Sequence, residues 1–153
     1  MMIKSEQSVV ILKFKNNIVE NCIVEHQKII EKNGFCWYGK IGKTVSEKIK
    51  NIILKSEHCS ILLYSKGELY IGHVEDISYQ KQSSNIPEYY FKLLYNENNI
   101  PSVYFKLDAL KKCNVDVLKY LTVKSSGKYA CESVSRCMNA VILTTANTDI
   151  HVE

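Results

Sequence analysis

The sequence predicts an α+β protein: a single domain over residues 1–153, its core at about 8–145, built on a curved, mixed, partly closed β-sheet flanked by helices. Three observations carry this prediction. The length of 153 residues suits one hydrophobic core. Short runs rich in Val, Ile, Leu and Tyr alternate with two stretches of helical period. The second half is dominated by strand–turn–strand patterns, which argues against a doubly wound parallel sheet. With 46% hydrophobic and 24% charged residues, two Pro and six Gly, the chain can bury a core and is not linker-like.

The elements follow in order. Residues 8–15, with Val9, Val10, Ile11 and Leu12 in succession, read as a buried strand. Asn17 with Glu20 resembles a capping box. It precedes Ile18, Val19, Cys22, Ile23, His26, Ile29 and Ile30 at helical spacing, and Gly34 supplies the stop. On this apolar stripe His26 reads as a satisfied core histidine. The next strand is Phe35–Tyr38, running into Gly39, Lys40, Gly42 and Lys43 as a tight, open turn. Thr44 with Glu47 forms another capping box and starts a helix with Val45, Ile49, Ile52 and Ile53 on one side.

A hairpin follows. Ser60–Tyr64 is one strand, 65–68 the turn and Leu69–Ile77 the return, with Gly72 marking a bulge or a close backbone approach. Residues 78–101 form a polar excursion holding Tyr89, Tyr90 and Phe91, with a short strand expected near 89–94. Ser102–Leu107 is a strand, Asp108–Lys112 and Asn114–Leu121 are helical turns, 124–128 is a basic turn, and Ala140–Thr145 is the closing strand.

Net charge is +4, too small to name a ligand, but it is unevenly spread. Residues 40–66 hold six lysines and two glutamates, a net +4. Residues 106–136 hold six lysines, one arginine and three acids, again +4, whereas 67–105 is acidic. Two basic blocks on one side of the molecule make a phosphate-binding surface. Arg136 is the sole arginine beside 19 lysines, and its planar fork suits a phosphate or a base.

The six cysteines form no C-x-x-C, and their spacings do not make a zinc ribbon or finger. Free thiols in a reducing, cytoplasmic compartment are expected, with no metal and no cofactor. The only ligand pairs that suggest a metal are Cys22 with His26 and the adjacent His58 and Cys59. No basic stretch followed by a long apolar run opens the chain, and no run approaches the ~20 residues of a membrane helix. No membrane partner is therefore expected.

The aromatic strand into a glycine turn (Phe35–Lys40), the Leu62–Tyr64 strand with its Leu69–Val74 return, and Val103–Leu107 followed by helical turns, a Ser126-Gly127 loop and a last apolar strand come in a telling order. In that order the chain resembles the PUA-like superfamily, whose branches include EVE, ASCH and YTH domains, over roughly residues 8–145. The resemblance implies a PUA-like barrel. It also implies a non-catalytic module that captures a flipped, often modified base of DNA or RNA in an aromatic pocket. Trp37, Tyr38, Tyr64 and Gly39 are then the base-binding candidates. Because strand neighbours alternate, only one of Trp37 and Tyr38 faces the pocket. Lys40, Lys43, Lys66, Lys124, Lys128 and Arg136 are the phosphate candidates. Phage defence or modification-dependent restriction, with a partner nuclease or NTPase chain, is the expected setting. No three-aromatic cage is complete in the sequence.

Two other classes are compatible with the residues. A small hydrolase can use His73 and Glu75 as an acid/base pair, or Cys36 or Cys59 as a nucleophile with His58 or His73. A protein-interaction module can dock through the 78–101 excursion.

Overall fold

Seven strands hydrogen-bond into one mixed sheet, and its most apolar strand lies inside it. The computed structural model describes residues 2–15, 22–57 and 60–152. In chain order the elements are β1 (Met2–Ile3), β2 (Ser8–Lys13), α1 (Cys22–Asn33), β3 (Cys36–Lys40), α2 (Glu47–Lys55), β4 (Ser60–Ser65), β5 (Glu68–Ser78), a π-helical turn (Tyr90–Tyr95), β6 (Val103–Cys113), a 3-10 turn (Val115–Tyr120), β7 (Leu121–Val123), α3 (Ala130–Ser133), β8 (Val141–Ala146) and β9 (Ile150–His151). The sheet order is β3-β6-β5-β4-β2-β8-β7, and β1 pairs separately with β9. Within the large sheet only β2 and β4 are parallel, with Val10 opposite Ile61, and the segment carrying α1, β3 and α2 makes the crossover.

A strand covered on both faces needs apolar residues at every position, which is why β2 reads as a continuous run. Val9 and Ile11 enter one core with Leu62, Leu69, Ile71, Val117, Leu118 and Val134. Val10 and Leu12 enter the other with Ile23 of α1, Ile53 of α2, Tyr38, Leu63, Phe105 and Leu107. A third cluster, Ile86, Tyr90, Leu94 and Tyr104, seats the excursion on the sheet.

Two irregularities bend the β5–β6 pair. His73 pairs with Ala109, Val74 with Leu107 and Asp76 with Lys106, so Asp108 and Glu75 oppose no residue. The same shift lets Tyr70, Val74 and Ile77 all face one core although their numbering is not evenly spaced. Gly72 lies just before it, where an added Cβ would sit 3.3 Å from a Leu107 methyl. The sheet remains open rather than closing as a barrel, since β3 and β7 each have one strand neighbour. At β3 the outward N–H groups are nonetheless satisfied. Trp37 N–H donates to the Asn85 carbonyl at 2.9 Å and Gly39 N–H to the Tyr90 hydroxyl at 2.8 Å, so residues of the excursion cover that edge.

Several local expectations shift. The stretch Asp108–Lys112 is a continuation of β6, because Lys111 and Lys112 pair with Ile71 and Tyr70 across the sheet. The segment near 89–94 is a helical turn that buries Tyr90 and Leu94, four residues apart. The cap of α2 is Ser46, whose hydroxyl accepts from Ile49 N–H at 3.2 Å, while the Thr44 hydroxyl donates to the Ser102 carbonyl. The Asn17–Glu20 capping box lies outside the described residues. Gly34 ends α1 at φ +89°, and Lys66-Gly67 turns the β4–β5 hairpin with both φ positive. Strands β1, β7 and β9 and helix α3 have no counterpart among the sequence expectations.

Candidate functional site

A hollow of about 370 Å³ opens where the curled sheet brings β3 back toward the end of β2. Its walls are Tyr38, Gly39 and Lys40 from β3, Leu12 to Lys15 at the end of β2, Cys22 at the start of α1, Tyr89, Tyr90 and Leu94 from the excursion, and Ala140 before β8. Alternation along β3 selects the lining. Cys36, Tyr38 and Lys40 point inward, and Trp37 points the other way. Trp37 is half-buried, packs with the excursion cluster and meets Phe35 edge-on at 6.5 Å. It does not line the hollow.

Gly39 is required by space rather than by backbone conformation. A Cβ there would lie 2.6 Å from Pro101 Cγ and 3.1 Å from Tyr90 Cε2. The missing side chain lets the excursion close down on β3.

A hydrogen-bonded chain fixes the floor. His26 Nδ1 lies 2.7 Å from the Cys22 carbonyl, which only accepts, so Nδ1 carries the proton. Neutral His26 then offers a lone pair on Nε2, and the Tyr90 hydroxyl donates to it at 2.7 Å. The Tyr90 oxygen in turn accepts Gly39 N–H. Burial lowers the His26 pKa to about 4, so the imidazole is neutral at pH 7. With both ring nitrogens engaged, His26 has no lone pair for a metal shared with Cys22. His58 and Cys59 lie outside the described residues.

Tyr89 hydrogen-bonds the Cys22 thiol. Tyr38 stands with its ring 5.1 Å from that of His26. Its buried hydroxyl, beside Cys22, Tyr89 and Tyr90, forms no hydrogen bond among the described residues. At the rim, Lys40 is buried, and its ammonium donates to the Lys43 carbonyl. Burial first and the Lys43 charge second hold its pKa below the usual lysine value. Lys40 and Ala140 also line an adjoining hollow of about 480 Å³ with Lys43, Thr44, Ser46, Val141 and Leu143.

The other predicted residues lie elsewhere. Lys128 and Arg136 line a hollow of about 790 Å³ with Ile142. Ile142 and its neighbours Val141 and Leu143 point to opposite faces of β8, so the two basic hollows do not share a face. The expectation of one continuous basic side is corrected accordingly. Part of the second basic block is also paired off: Lys106 with Glu75, Lys112 with Glu68 and Lys119 with Asp116. Lys124 donates to the Ser8 hydroxyl, Lys66 sits exposed in the hairpin turn, and Tyr64 packs against the other core.

The enzymatic alternatives fare differently from their sequence pairing. His73 Nδ1 meets Asp108 at 2.5 Å, and Glu75 meets Lys106 instead, because the irregular register turns Glu75 away. Burial pushes the Cys36 thiol up to about 12, which leaves no thiolate at neutral pH for a nucleophile. The excursion spends its inner side on the sheet, while Phe91 and Leu93 are exposed on its outer side.

Tyr89, Tyr90, Cys22 and Lys13 were missed as lining residues. The Tyr89-Tyr90-Phe91 cluster was a visible signal, but nothing local says that it folds onto β3. Among the described residues no helix is long and apolar enough to cross a membrane. A family model described as Pua-like matches residues 10–147. No curated protein and no solved structure matches the chain.

Proposed function

The chain belongs to the PUA-like family, and from that premise we propose that it is a non-catalytic nucleic-acid-binding module that holds one base in the hollow bounded by Tyr38, Tyr89 and Tyr90. The observation that supports this most is the hollow itself: aromatic walls, a concave volume, and Lys40 at a rim continuous with Lys43. Extruding a base costs a few kcal/mol, and aromatic contact returns about 1–3 kcal/mol per base. Lys40, Lys43 and the hydroxyl of Ser46 then serve the flanking phosphates. Lys128 and Arg136, on the other face of β8, serve a strand only if it wraps around the 137–140 segment. A modified base, phage defence or modification-dependent restriction, and a separate nuclease or NTPase chain are the finer parts of the same reading and rest on the family resemblance, while the cytoplasmic setting rests on the cysteine pattern.

The test is binding of single-stranded oligonucleotides across a salt series. Affinity is expected to fall steeply with salt, and Lys43→Glu is expected to weaken binding to all sequences and flatten the slope by at least about one. Lys128→Glu is expected to leave the slope unchanged. Absence of binding at low salt, or binding indifferent to salt, overturns the reading.

A further inference from the structure

Resting on the base-capture reading above, we propose that the Tyr38 hydroxyl reads the buried edge of the captured base, donating its proton to a ring nitrogen or carbonyl oxygen of a neutral planar heterocycle. Buried hydroxyls are almost always paired, because leaving one dry forfeits its hydration with nothing in return. Tyr38 is an exception among the described residues. Its hydroxyl is buried and has no hydrogen-bond partner among them.

The neighbouring polar groups are already committed. The Tyr90 hydroxyl donates to His26 and accepts from Gly39, and Tyr89 bonds the Cys22 thiol. The unfilled hydroxyl therefore stands beside a hollow whose other deep groups need no ligand.

The chemistry of the partner follows from the donor and the lining. Burial disfavours the phenolate, so the hydroxyl keeps its hydrogen at neutral pH and supplies a donor. A donor calls for an acceptor on the occupant. Among the described lining residues there is no carboxylate, whereas Lys13, Lys15 and Lys40 are present. Against these described residues a cationic heterocycle would meet like charge, so the occupant is neutral. Stacking on the tyrosines selects planarity. The hydroxyl selects which edge goes in.

The experiment compares the wild type with Tyr38→Phe, which keeps the ring and its contact with His26. Probes are single-stranded oligonucleotides differing at one central position: each ordinary base, an abasic site, and analogues of the preferred base lacking one acceptor each. Tyr38→Phe is expected to weaken binding of the preferred base about tenfold. Affinity for the abasic probe and the salt slope should stay as in the wild type. The melting temperature of the free variant should hold or rise, since an unpaired buried hydroxyl has been removed. One analogue should lose the same factor in the wild type and nothing further in Tyr38→Phe.

If Tyr38→Phe discriminates as the wild type does, or if it melts markedly lower, the hydroxyl is not the reader, while nucleic-acid binding stands. If the wild type does not distinguish any base from the abasic site, base capture itself fails and this inference fails with it.

Discussion

His26 Nε2 and the Tyr90 hydroxyl lie 2.7 Å apart in the interior, fastening α1 to the turn at Tyr90–Tyr95. The direction of that bond is fixed by the other ring nitrogen, which donates to the Cys22 carbonyl. Since Tyr90 gives its proton to His26, its oxygen is left to accept Gly39 N–H from the edge of β3. One hydroxyl thus ties together a helix, a sheet edge and the excursion, and these three elements supply most of the candidate site.

Tyr90→Phe strands two buried groups at once, Gly39 N–H and His26 Nε2. The expected loss of stability is about 2–4 kcal/mol, read from urea unfolding. Because the ring is retained, the cavity term of a larger truncation is avoided. A loss below about 0.5 kcal/mol would show that the chain of bonds does not hold the fold together.

Stability should also fall as the solution is acidified through the His26 range. Folding lowers this pKa from 6.5 to about 4, so the unfolded chain binds the extra proton first. The contribution is fully present above pH 6.5 and is lost progressively as pH drops toward 4, by about 3 kcal/mol in total. Urea midpoints at pH 7, 5.5 and 4.5 test this. His26→Gln, less stable at pH 7, is expected to show a shallower decline over the same interval. An equal slope in the two proteins would assign the acid sensitivity to other groups.

Gly39→Ala places a methyl within 2.6 Å of the Pro101 ring, which cannot swing aside as a flexible chain end would. The excursion must lift from β3 or the strand must shift, at a cost of about 1–3 kcal/mol. Calorimetry is expected to record a lower melting temperature, with weaker base discrimination than salt-dependent background binding. An unchanged melting temperature would mean that the excursion is held less closely than the geometry shows.

Much of the scaffold was legible from local pattern. The unbroken Val9–Leu12 run announced a buried strand, Lys66-Gly67 announced a hairpin turn, and the stripe through Ile23 and His26 announced a helix with a core histidine. Period and turn chemistry act over a few residues, so a single sequence displays them. Where pairing between distant segments competes with local preference, the pattern misled: Asp108–Lys112 looks helical alone but is held extended by Leu69–His73.

The amino-acid sequence by itself determined the α+β class, the strand carrying Tyr38 and Gly39, and the alternation that separates Tyr38 from Trp37. Only the tertiary structure decided which of the two faces the hollow, and that Tyr89 and Tyr90 complete it from about fifty residues further along the chain. It also decided that Lys40 and Lys43 line one hollow and Lys128 and Arg136 another, on opposite faces of β8. The physical reason is that spacing along a chain fixes the relative direction of neighbouring side chains, whereas the side of the molecule they reach depends on sheet order, register shifts and curl, which arise from contacts between segments remote in sequence.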